Sequence, residues 1–128
     1  MEGKQRLYFA LGNVAYAVAM ADGKLEAQEK KKVHDIVVKE TAHCAVDFDI
    51  SEIIFHVLQQ HHNSADSAYD WGLKAFEMSK SWLTEDLKVD FFGVLEKIAR
   101  AIDGINESEQ KMLDRFRKDM DELLPPVA

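Results

Sequence analysis

Apolar residues recur every three or four positions through nearly all of this 128-residue chain, and strict alternation never lasts. That period belongs to helices and leaves no room for a sheet. Leu7, Leu11, Val14 and Val18 form one stripe, and Val33, Ile36, Val37 and Thr41 a second. Ile53, Ile54, Val57 and Leu58 form a third, and Ala68, Trp71, Ala75, Met78 and Trp82 a fourth. Leu87, Phe91, Val94, Leu95, Ile98 and Ile102 follow, then Met112, Leu113, Phe116, Met120 and Leu123. Each stripe is wide enough for one core-facing side and too narrow for a helix buried all round. The expectation is an all-α bundle of about six helices.

The stripes are separated by helix-start signals. Asp49-Ile50-Ser51-Glu52 reads as a capping box, with Phe48 and Ile53 as its hydrophobic staple, and Asn106-Glu107-Ser108-Glu109 repeats the box before the last helix. Ser64 and Thr84 fit as N-caps of the fourth and fifth helices. Both prolines, Pro125 and Pro126, fall at the end, and the six glycines are scattered. Nothing marks a linker, so residues 1–128 read as a single domain with a short disordered tail from about residue 124.

The chain also repeats itself. With Asp22-Gly23 aligned on Asp103-Gly104, Gly12 meets Gly93, Val14 meets Leu95, Ala17 meets Ile98 and Val18 meets Ala99. Downstream, Glu26 and Glu29 answer Glu107 and Glu109, with one residue fewer in the second copy. Two helix–Asp-Gly–helix units therefore flank two middle helices. After a helix, glycine supplies the left-handed residue that ends it, so Gly23 and Gly104 are expected at positive φ. A carboxylate there opposes the dipole of the finished helix and suits the free amides of the next. The plain explanation of Asp22 and Asp103 is thus an anionic cap at a helical corner.

A metal-binding explanation stands beside it. Asp22, Gly23, Leu25 and Glu29 match the second half of a calcium loop, but Val18 and Met20 occupy the first-half ligand positions and offer no side-chain oxygen. Neither corner is a calcium site alone. Were the two corners to meet, Asp22, Glu29, Asp103 and Glu109 would pool oxygens for one hard cation, calcium or magnesium.

The same residues carry a resemblance. Ala19-Met20-Ala21-Asp22-Gly23-Lys24-Leu25-Glu26-Ala27-Gln28-Glu29 resembles the signature of the tellurite-resistance TerB family, which is also similar to the N-terminal domain of some membrane-anchored J-type co-chaperones. Ala99-Arg100-Ala101-Ile102-Asp103-Gly104-Ile105-Asn106-Glu107-Ser108-Glu109 resembles the second occurrence of that signature. The likeness covers roughly residues 8 to 118 and rests on short motifs. It implies an all-helical bacterial domain of two similar halves, with metal-binding acidic corners at Asp22, Glu29, Asp103 and Glu109. The shortened second corner fits Glu109 least well. The family lends no established enzymatic activity.

Composition narrows the function classes. A net charge of −7 argues against a nucleic acid ligand, and the one basic cluster, Lys30-Lys31-Lys32, follows Glu26 and Glu29 as a solvated helix face would. The single cysteine, Cys44, forms no internal disulfide and fits a reducing compartment. Lys4 and Arg6 before the uncharged run Leu7–Ala21 look superficially like a secretory leader. Gly12 and Asn13 interrupt that run, and its second copy lies deep in the chain, so it reads as part of the fold. It is too short and too polar to span a bilayer, and a cytoplasmic location is expected.

No arrangement of residues suggests catalysis. His56 has Gln60 rather than histidine four residues on, and the adjacent His61 and His62 diverge on a helix. No glycine-rich phosphate loop or nucleophile elbow occurs. Trp71, Trp82, Phe91 and Phe92 fall on helical stripes and read first as core, with an exposed partner face as the alternative. The expectation is a non-enzymatic TerB-like domain, a protein-interaction module in a bacterial stress-response or membrane-associated assembly. It would have protein partners and scope for peripheral membrane association. A small divalent-cation-binding protein is the alternative.

Overall fold

The computed structural model describes residues 3–21, 31, 32, 35, 39, 64–101 and 107–124. Those residues are 91% helical and contain no strand. Four α-helices are described: α1 (Gly3–Ala19), α2 (Ala65–Met78), α3 (Glu85–Ala101) and α4 (Glu107–Leu123). A 3-10 turn, Lys80–Trp82, joins α2 to α3. Lys31, Lys32, Asp35 and Lys39 are also helical and exposed. The stripes at residues 33–41 and 53–58 and the box at Asp49 lie outside the described residues, apart from Asp35 and Lys39. So do Gly23 and Gly104 with their expected positive φ, and so the six-helix count goes beyond the four helices described.

The central element is α1, and here the expectation of one-sided burial fails. From Leu7 to Ala19 every residue except the half-buried Phe9 is buried, including Gly12 and Asn13. The cause is legible in the residues themselves. The run carries no charge, and Ala10, Gly12, Ala15, Ala17 and Ala19 let neighbours approach from every side. The buried Asn13 is satisfied locally, its Nδ2 donating to the Phe9 carbonyl at 2.9 Å. α1 packs against α2, α3, α4 and the 3-10 turn, and most extensively against α2.

The α1–α2 crossing is close because of Gly72. A Cβ at that position would lie 2.8 Å from Val14 Cγ2, 3.1 Å from the Ala10 carbonyl oxygen and 3.1 Å from Asn13 Cβ. The buried face of α2 is accordingly Ala68, Tyr69, Gly72, Ala75 and Phe76. The expected stripe shares only Ala68 and Ala75 with it. Trp71, Met78 and Trp82 stand outside the core at 64%, 69% and 54% exposure, so reading the tryptophans as core is corrected to the exposed alternative. The small residues of α2, not its largest ones, face the centre.

The stripes of α3 and α4 match the core, except that Leu87 and Leu123 are half-buried and Ile102 lies outside the described residues. α3 buries Phe91, Val94, Leu95, Ile98 and Ala99, and α4 buries Met112, Leu113, Phe116 and Met120. Aromatic rings tie the four helices together. Phe76 of α2 lies 6.0 Å from Phe91 of α3 and 5.8 Å from Phe116 of α4, and Phe91 meets Tyr8 of α1 edge-on at 5.4 Å. Both caps within the described residues form. Ser64 Oγ accepts from the Ser67 amide, and Thr84 Oγ1 from the Leu87 amide, each at 3.1 Å. No helix among the described residues is long and apolar enough to cross a membrane.

Candidate functional site

Of the four acidic residues singled out by sequence, Asp22, Glu29 and Asp103 lie outside the described residues. Glu109 is described, in the first turn of α4, and is only 1% exposed. It faces the helix packing and not the solvent. Among the described residues no group of three or more His, Cys, Asp or Glu side chains is placed to hold a metal.

Two polar clusters that sequence reading did not single out hold the helices together. The first joins α2 to α4. Tyr69, fully buried, donates its hydroxyl to Asp119 Oδ2 at 2.6 Å, and the Arg115 guanidinium lies 4.1 Å over the Tyr69 ring. Arg115 also bonds Asp70 at 2.9 Å and pairs with Asp66 at 3.5 Å. Burial first, and then the hydrogen bond to Asp119, push the Tyr69 hydroxyl far above its ordinary range. This phenol is a fixed donor and not a reactive group.

The second cluster joins α3 to α4. Lys88 occupies a position on the α3 core stripe and is 9% exposed. Its Nζ lies 2.6 Å from Asp121 Oδ1, donates to the Leu124 carbonyl at 2.9 Å and sits 3.6 Å from Glu85. A cation at the end of α4 complements the negative end of the helix dipole. Leu124, where the tail was expected to begin, still donates its amide to Met120. Beside this clamp runs an open groove of about 270 Å³, lined by Lys88, Val89, Phe92, Arg117 and Met120 among others. Phe92 is half-buried under the Arg117 guanidinium, 4.2 Å above its ring.

Outside these clusters the described surface has one unusual stretch, residues 71–82. Trp71 and Met78 are two turns apart on α2 and project within about 20° of each other. One near-helical turn later, after the buried Ser79, comes Trp82. Lys74 and Lys80 are exposed along the same stretch, and neither has an ion-pair partner among the described residues. The carboxylates of α2 (Asp66, Asp70 and Glu77) lie on the same side of the Trp71–Met78 line as Lys74, about 40–80° beyond it round the helix.

The chain matches no protein-family model, no curated protein and no solved structure. The signal for the face was present in the sequence as tryptophans at helical spacing, but their phase relative to the core required Gly72 to be recognised as the contact point.

Proposed function

We propose that the chain is a non-enzymatic, TerB-like helical domain that works as a protein-interaction module, docking a partner on the Trp71–Met78–Trp82 face. The observation that carries this reading is the exposure of both tryptophans of the chain beside Met78. Large apolar side chains left in water lose the stabilisation that burial would bring, and tryptophan is the residue most enriched where partners bind tightly. The ion-paired clusters at Arg115 and Lys88 support the same reading, because their charged groups are already spent on holding α4 against α2 and α3. The resemblance to TerB-like domains agrees with it in fold class and points to a stress-response or membrane-associated bacterial assembly as the setting.

The test is photo-crosslinking in the cells that make the protein, with a benzophenone amino acid in place of Trp82. The reading expects one discrete adduct with an identifiable protein, lost when Trp71→Ser is added. No adduct from position 82, with adducts arising instead from exposed Asp114 on α4, would remove the face from the account.

A further inference from the structure

Methionine is unevenly sheltered in this chain. Of its five methionines, four lie among the described residues, and three of those are covered: Met112 is 8% exposed, Met120 1%, and Met20 is half-buried. Met78, the last residue of α2, is 69% exposed. It shares one helix line with the exposed Trp71, and the exposed Trp82 follows one near-helical turn later. Resting on the interaction reading above, we infer that Met78 is a site of reversible oxidation by hydroperoxides, and that its sulfoxide releases the partner from the Trp71–Met78–Trp82 face.

The chemistry needs an accessible thioether and the oxidant. A lone pair on the Met78 sulfur attacks the outer oxygen of the hydroperoxide, the O–O bond breaks and an S–O bond forms. The sulfur gives up two electrons, and the peroxide is reduced to water or an alcohol. A sulfoxide reductase supplied with a dithiol restores the thioether, the oxygen leaving as water while the dithiol closes to a disulfide. What sets Met78 apart is where the new oxygen falls. A sulfoxide at Met112 or Met120 puts an unpartnered polar group into the hydrophobic core and costs the fold itself. At Met78 water solvates the oxygen in the free chain, and the packing of α2 is untouched. The cost arises only when a partner closes over the face and strips that water away from an otherwise apolar contact. One added oxygen therefore changes docking without changing the fold.

Two measurements on the intact chain test this. In the first, the chain is treated with hydrogen peroxide, quenched with catalase and digested with trypsin, which leaves Met20, Met78, Met112 and Met120 in separate peptides. The Met78 peptide is expected to gain its oxygen at least about tenfold faster than those of Met112 and Met120, and the difference should vanish in urea. The melting temperature should not move while Met78 alone is oxidised. In the second, the partner captured at position 82 is titrated with reduced and with Met78-oxidised chain. Affinity should fall at least about tenfold on oxidation and return after treatment with methionine sulfoxide reductase and dithiothreitol. A Met78→Leu chain, compared only with itself before and after peroxide, should show no change in affinity. A drop there equal to that of the parent would place the effect on another residue and overturn the inference. Oxidation of Met112 or Met120 as fast as Met78 would also overturn it, and so would a melting temperature that falls with Met78 oxidation. The underlying reading fails separately: it falls, and the switch with it, if position 82 gives no adduct, whereas a partner that binds the Met78 sulfoxide at full affinity removes only the switch.

Discussion

At the scale of the residue, two glycines inside helices, Gly72 of α2 and Gly93 of α3, meet opposite surroundings. Gly72 sits where a methyl group would press on Val14 and on the backbone of Ala10, and both are buried in α1 with little freedom to give way. Overpacking of this kind costs about 1–3 kcal/mol, more than the roughly 1 kcal/mol that alanine gains over glycine in a helix. Gly72→Ala is therefore expected to lower the urea midpoint. Gly93 has open space where its Cβ would be, so Gly93→Ala should raise stability by about 0.5–1 kcal/mol in the same experiment. Alignment of the two halves paired Gly93 with Gly12, and that pairing says nothing about steric need. The buried tyrosines make a second prediction. Burial pushes the pKa of Tyr16 and Tyr69 up from the ordinary phenol value, and Asp119 pushes that of Tyr69 further. Their phenols stay neutral in the folded chain, while in the unfolded chain they ionise near pH 10. The stability they lend is complete below about pH 10 and is lost as pH rises beyond it. The melting temperature should fall above pH 10, and the phenolate absorbance of Tyr16 and Tyr69, isolated in a Tyr8→Phe background, should appear with unfolding and not before it. Ionisation of Tyr16 or Tyr69 in the folded chain near pH 10 would contradict this.

At the scale of the element, the caps and stripes of α3 and α4 were readable because local chemistry decides them. Thr84 caps α3 whatever lies beyond it, and Thr84→Ala should cost about 1 kcal/mol by thermal denaturation. α1 was misread for a physical reason: a periodic stripe shows which side must be buried and cannot show that small residues allow the other sides to be buried as well. α2 was misread in phase, since hydrophobicity ranks Trp71 and Met78 above Gly72, whereas close helix approach ranks them below it. Lys88 shows a different limit. On sequence it is a charge interrupting the line of Leu87 and Phe91, and only the end of α4 explains it. Lys88→Met should destabilise the chain by about 1–2 kcal/mol, since Asp121 and the Leu124 carbonyl just past α4 lose their partner. Lys88→Arg should retain part of that stability. A melting temperature unchanged by Lys88→Met would show that the clamp is not what docks the end of α4.

At the scale of the whole molecule, two proposals compete for the function. The acidic corners carry a cation proposal through Asp22, Glu29, Asp103 and Glu109, of which the described residues place only the buried Glu109. If the corners share a cation, millimolar calcium or magnesium should raise the melting temperature by mass action, and Asp22→Asn with Asp103→Asn should abolish the rise. Calorimetry without heat and melting without a shift would leave the capping explanation. The exposed face carries the interaction proposal, and that is the central claim. Both tryptophans lie outside the core, so Trp71→Ser with Trp82→Ser should leave stability within about 0.5 kcal/mol of the parent. The most direct measurement is the affinity of this folded double variant for the partner captured at position 82, set beside that of the parent chain. The account predicts at least a tenfold loss at an unchanged melting temperature, as truncation of tryptophan anchors gives at protein interfaces. Full affinity in the folded variant would contradict it.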